Sequence, residues 1–310
     1  MIKREGMKYP ESVRIVEVGP RDGLQNEPLP IFSDDKIELI QRLTQAGISH
    51  IEVGSFVSAK WVPQMADSLA VMQGIERLEN VRYAALTPNK RGFDKAIEAR
   101  ASEVAIFAAV SESFSQKNIN CSIAESLQRF EEIMIAAKSQ NIPVRGYVSC
   151  ILGCPYEGPI TKQNAEPHFA KVKHVCQQLL AMGCYEVSLG DTIGTGTPKF
   201  TELLLRTLLE DIPKHQLAVH FHDTYGQALS NILVALQHGI ATIDASIAGL
   251  GGCPYAKGAS GNVATEDVLY MLEGMNIETG IDLGSLIQTG NWLSQKLNRI
   301  NGSKVGLALK

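Results

Sequence analysis

No stretch of this 310-residue chain approaches the run of about 18 apolar residues that a membrane-spanning helix requires, so none is expected. Positive charge is in no excess: 29 Lys and Arg against 33 Asp and Glu leave a net charge of −4. That argues against a nucleic-acid-binding face, which needs a strongly basic surface, although a local group of cations can still meet a small anion. No GxGxxG opens a first strand–helix–strand unit, and no GKS or GKT completes a P-loop. CxxC pairs are missing too. Cys150 and Cys154 have no second pair to complete a zinc set, and the six cysteines suit reduced, space-filling thiols. The opening MIKREGMKYPES has no apolar core and carries acidic residues, unlike a signal or transit peptide, and the closing GLALK is no peroxisomal address. The expected location is the cytoplasm.

What is present is ordinary for a globular chain with a sizeable core: 45% hydrophobic and 20% charged residues. The length suits one α/β barrel of roughly 250 residues with appendages. Short β-branched runs recur at 13–19, 50–56, 81–86, 103–110, 144–150, 185–191, 217–223 and 242–249. They are apolar almost throughout, as strands buried on both faces of a parallel sheet must be. Helical stretches separate them. Ser33 is expected to cap a segment through Ala46 that stops at Gly47, and Thr197–Pro198 reads as an N-cap and first helical residue. A helical stripe from Phe169 to Leu180 runs up to Gly183, and another from Gln227 to His238 stops at Gly239. Eight strands alternating with helices predict a single-domain (β/α)8 TIM barrel over about 12–265, with one or two C-terminal helices over about 266–310. An open doubly wound sheet is the alternative.

Catalytic groups of such barrels stand at the C-terminal ends of the strands. Here those ends carry Arg21 and Asp22, Glu52, Asp191, His220 and His222, and the loop after the last strand carries Cys253 and Asn262. Residues two apart on a strand share a face, so both imidazoles project into the barrel mouth together. With one carboxylate they make a divalent-metal site that keeps open positions, the plainer reading being a pair of hydrogen-bonded core histidines. Asp22 is the first choice for that carboxylate, with Asp191 and Glu52 behind it. Such ligands accept Mg²⁺, Mn²⁺ or Zn²⁺. Arg21 offers a permanent charge and a rigid fork of donors, suited to a carboxylate or an enolate oxygen, or else to a salt bridge with Asp22 or Glu52. The GDTIGTGTP stretch (190–198) is either an anion site at a helix start or an ordinary strand–helix turn.

Taken together, VEVGPRDGLQNE (16–27), IEVGSFVSAKWVPQMAD (51–67), SLGDTIGTGTP (188–198), HFHDTYGQ (220–227) and SIAGLGGCPYAKGASGN (246–262) resemble the 3-hydroxy-3-methylglutaryl-CoA lyase family. The likeness runs from about residue 12 to residue 300, and the last motif is that family's signature loop. It implies cleavage of 3-hydroxy-3-methylglutaryl-CoA, a CoA thioester, to acetyl-CoA and acetoacetate, in leucine breakdown, with Mg²⁺ or Mn²⁺. Carried over by motif, it implies Asp22, His220, His222 and Asn262 as metal ligands, Arg21 for the enolate and Cys253 as the active-site thiol. Glu52 and Asp191 also match active-site positions, as substrate contacts or supports of the ligands.

For the chemistry, the resemblance leaves the hydroxyl proton to Asp22 or His220, and reprotonation to Cys253 or to His220 through water. It also implies a homodimer, while the charge balance and the lack of a long apolar run speak against nucleic acid or membrane as partner. Some relatives carry a regulatory cysteine near the C-terminus, whereas Cys253 is the last one here. A lyase for another 3-hydroxyacyl-CoA, or a condensing enzyme on the same barrel, is the alternative function.

Overall fold

The computed structural model describes residues 9–252 and 261–309. Eight parallel strands close into a barrel: β1 Arg14–Glu17, β2 His50–Ser55, β3 Arg82–Leu86, β4 Glu103–Ala109, β5 Val144–Ser149, β6 Glu186–Asp191, β7 Leu217–Phe221 and β8 Thr242–Ala245. Each of the eight apolar runs contains one of them. The ring shuts where β1 pairs β8, from Arg14↔Thr242 to Glu17↔Ala245, which rules out the open sheet. The fold is the TIM barrel.

The strand pattern follows from the two surfaces each strand serves. On β5, Gly146 lies against Leu179 of the following helix, while Arg145 and Tyr147 turn inward and bond across the barrel. Outward residues such as Val187 and Leu189 are fully buried beneath helices. One irregularity matters for the site. Glu52 of β2 pairs Ala84, but Gly54 pairs Ala85, so β2 carries a bulge just past Glu52. Bulges of this kind re-aim a strand near functional sites.

The helix punctuation holds in outline and differs in detail. The helix Ser33–Gln45 has Phe32 at its N-cap and no side-chain cap, because the Ser33 hydroxyl donates to Asp67 Oδ2 at 2.8 Å. Thr197 does occupy the N-cap before Pro198, yet its hydroxyl makes no capping bond. Gly183 ends the helix Ala165–Met182 in the left-handed conformation (φ 111°), where a side chain would be strained. Among the described residues beyond β8 lie three α-helices, Thr265–Gly274, Leu283–Lys296 and Lys304–Ala308, where the sequence suggested one or two. The extra one is five residues long, too short for a periodic signal. It is held by tertiary bonds: Ser303 Oγ donates to Asp267 and accepts from Gly306 N. The five described cysteines are buried free thiols.

Candidate active site and metal centre

After β1 the five residues Gly19–Gly23 coil into one wide π-type turn. The carbonyl of Val18 accepts from the amides of Arg21, Asp22 and Gly23 at 3.2, 2.7 and 3.2 Å, which sets both charged side chains over the barrel mouth. Turns of this width are rare and concentrate at functional sites. Gly23 is needed there, since a Cβ would stand 2.7 Å from Leu250 Cβ and 2.8 Å from Ser246 Oγ.

Arg21 divides its fork between two carboxylates. Nε and Nη2 reach Glu52 Oε2 at 2.7 and 2.6 Å, and Nη1 donates to Asp22 Oδ1 at 2.6 Å. Asp22 also accepts from Gln25 Nε2 at 3.1 Å and, on its other oxygen, from Asn262 Nδ2 at 2.7 Å. Burial alone would raise the Asp22 carboxyl. The charges of Arg21 and the two imidazoles, with the Asn262 bond, outweigh it and hold the group at about 2.

His220 lies in β7 and His222 just past its end, with ring centroids 5.4 Å apart. His220 Nε2 stands 3.9 Å from Asp22 Oδ2. Burial, reinforced by His220, pulls His222 down to about 4, so its ring is neutral near pH 7 and able to bind a metal. One ligand atom each from Asp22, His220 and His222 lie within 4.8 Å of one another. Asn262 spends its amide nitrogen on Asp22 and on the Leu250 carbonyl (3.2 Å), which leaves the amide oxygen as the atom a cation would take. The buried Nδ1 of His222 has no hydrogen-bond partner among the described residues. One carboxylate, two imidazoles and an amide oxygen fit a hard or borderline divalent cation.

The other expected site residues divide. Glu52 is buried beneath Arg21, with Oε1 unpartnered among the described residues. Asp191 ends β6, and its Oδ2 accepts from Gly196 N at 2.9 Å. Burial pushes Asp191 up to about 7. It ties down the 192–196 turn and is not in the converging ligand cluster. Because Gly196 N serves Asp191, the turn reading of GDTIGTGTP is favoured over the anion site. Cys253 lies outside the described residues.

Sequence reasoning passed over three residues that contact this constellation. Gln25 supports Asp22. Tyr147 stands edge-on to His220, with centroids 6.0 Å apart, and its hydroxyl sits 3.5 Å from Glu52 Oε2. Asp244 of β8 lies against His220 Nδ1 at 3.2 Å. The available signal was a charged or aromatic residue alternating with apolar ones, as in VRGYVSC (144–150) and TIDASIAG (242–249). A cavity of about 990 Å³ opens over Arg21, Asp22, Tyr147, His220 and His222, with Lys117, Arg129 and Trp61 also on its wall.

The HMGL-like family model matches residues 12–293. A cytoplasmic 3-hydroxy-3-methylglutaryl-CoA lyase of Mus musculus is 58% identical over 96% of this chain and 85% of its own length. A mitochondrial hydroxymethylglutaryl-CoA lyase of Gallus gallus is 57% identical over 97% of this chain and 98% of its own. Among solved structures, the hydroxymethylglutaryl-CoA lyase of Pseudomonas aeruginosa matches with a TM-score of 0.93 and 55% identity, covering 97% of this chain and 98% of that one.

Proposed function

The chain belongs to the HMGL-like family, and from that premise we propose how its barrel mouth cleaves 3-hydroxy-3-methylglutaryl-CoA to acetyl-CoA and acetoacetate. The observation that carries this reading is the convergence of Asp22, His220 and His222 within 4.8 Å, beside an arginine already oriented by two carboxylates. Asp22, His220, His222 and Asn262 would hold the divalent cation, Mg²⁺ or Mn²⁺, which when bound would acidify the substrate's tertiary hydroxyl.

The residues of the chain do the rest. Asp22 takes the hydroxyl proton as the carbonyl of acetoacetate forms. The carbon–carbon bond breaks, and its electron pair becomes the enolate of acetyl-CoA. Arg21 meets the negative thioester oxygen, and a preorganised donor of this kind contributes about 3–4 kcal/mol. Because Glu52 and Asp22 fix its fork beforehand, little reorganisation is left for the moment of reaction. Cys253, placed by sequence on the loop after β8, returns a proton to the enolate carbon. The buried position of Glu52 supports its role as the anchor of Arg21, and Asp191 supports the site through its turn.

Leucine breakdown in the cytoplasm, and assembly as a homodimer, belong to the same proposal. Relatives named for cytoplasm and for mitochondria match the chain alike. No helix among the described residues is long and apolar enough to cross a membrane. Exposed Tyr270 and Leu307 on the C-terminal helices, with Leu309 just past the last one, support a partner subunit, which sedimentation would detect.

Turnover tests the substrate assignment. Acetoacetate released from 3-hydroxy-3-methylglutaryl-CoA is expected. A higher kcat/KM for a different 3-hydroxyacyl-CoA, or net condensation in place of cleavage, would overturn it.

A further inference from the structure

Below the metal-binding cluster lies a second layer of charge that the cleavage does not use. Arg145 on β5 is buried and points inward. Its Nη2 and Nη1 donate to the two oxygens of Asp244 at 2.7 and 3.0 Å, a forked pairing of guanidinium and carboxylate. Its remaining donors reach Glu186 Oε1 at 2.8 Å and the Tyr147 hydroxyl at 3.0 Å. Ser188 Oγ adds a bond to Asp244 Oδ2 at 2.8 Å. The same oxygen stands 3.2 Å from His220 Nδ1.

We infer that Asp244, held in place by Arg145 and Ser188, is the positioning residue that fixes the tautomer and ring orientation of His220. The inference rests on the metal-site reading given above. An ionised carboxylate only accepts hydrogen bonds, so the His220 nitrogen facing it carries the proton. The proton therefore sits on Nδ1, and the lone pair of Nε2 turns to the side where Asp22 Oδ2 stands 3.9 Å away. A carboxylate behind a ligating histidine is a recurring way to orient the ring and raise its basicity. Among the described residues His222 has no such partner: the backbone of Thr192 bonds its ring instead. The two imidazoles thus play unequal parts, with His220 the more strictly oriented. Asp244 and Arg145 do not line the cavity whose wall holds His220, so they act through that ring and not on substrate.

A charge cluster that merely filled the barrel would share these contacts, so the test reads something such a filler would not change. In the full-length chain freed of metal, ¹⁵N spectra of the histidine rings, recorded at a pH where they are neutral, should show His220 protonated at Nδ1. The proton found on Nε2 in the wild-type protein overturns the inference, and that result needs no variant to fold. In Asp244→Asn the expected outcome is a mixed or Nε2-protonated ring. Mn²⁺, followed by electron paramagnetic resonance, should bind about 10- to 100-fold more weakly. Ser188→Ala should move both readouts in the same direction by less. Unchanged Mn²⁺ affinity together with an unchanged tautomer in a folded Asp244→Asn protein also overturns it. Failure of the metal-site reading looks different, because the wild-type chain itself would then bind no Mn²⁺.

Discussion

Asn262 donates its amide hydrogen to Asp22 Oδ2 at 2.7 Å, tying the loop after the last barrel strand to the turn after the first. The bond closes the active-site rim where the barrel itself closes. Gly251 lets it form: its φ is +103°, and a Cβ there would stand 2.8 Å from the Asn262 amide nitrogen. Asn262→Ala should leave the barrel folded and weaken Mn²⁺ binding by about 10- to 100-fold, measured by paramagnetic resonance titration. Gly251→Ala should weaken it too, through a displaced Asn262.

Arg21 has a catalytic and a structural load, and one variant separates them. Arg21→Met removes the donor aimed at the enolate oxygen and should lower kcat by about 10²- to 10³-fold. It also leaves Glu52 buried without its cation, so denaturant unfolding should show a loss of about 3–5 kcal/mol. A large fall in KM-related affinity with kcat intact would assign Arg21 to substrate binding instead.

Much of this arrangement was legible in the sequence, for a physical reason. Strands buried on both faces must be apolar, so the eight runs stood out, and a barrel places their C-terminal ends on one rim. That made Arg21, Asp22, His220 and His222 visible as a group. The inward layer was harder to read. Tyr147 and Asp244 act across the barrel on residues about a hundred or fewer positions away, and no local spacing announces such a partner. Capping failed similarly: Ser33 has the right chemistry for an N-cap, but Asp67, distant in sequence, claims its hydroxyl. The role of Cys253 rests on sequence alone.

Cys253→Ser should bind Mn²⁺ with wild-type affinity and lose most of its turnover, since a serine hydroxyl is a far weaker acid than a thiol. Metal titration and kcat on the same preparation check it. Wild-type kcat in that variant would remove the thiol from the mechanism.

Two buried glutamates next to the β1 and β8 turns give stability a pH dependence of defined sign. Glu17 accepts from the amides of Gly19 and Ile247, and Glu266 accepts from Ala248 N. Burial, opposed by these bonds, raises Glu17 from 4.5 to about 7 and Glu266 from 4.5 to about 8. Between the ordinary value and these raised ones the folded protein keeps protons that the unfolded chain releases, so stability falls as pH rises through that window. Urea unfolding across it should show the decline. Glu266→Gln should cost less at the alkaline end than at the acid end, and an equal cost at both ends would remove Glu266 as the source.

Metal dependence is the centre of the account. The purified protein should be stripped with chelator and refilled stepwise with Mn²⁺, with bound ion followed by paramagnetic resonance and acetoacetate release from 3-hydroxy-3-methylglutaryl-CoA measured in parallel. Turnover should vanish on stripping and return in proportion to bound Mn²⁺, saturating at one ion per chain, with Asp22→Asn and His222→Ala failing to refill. Turnover that survives complete removal of the ion would contradict the account.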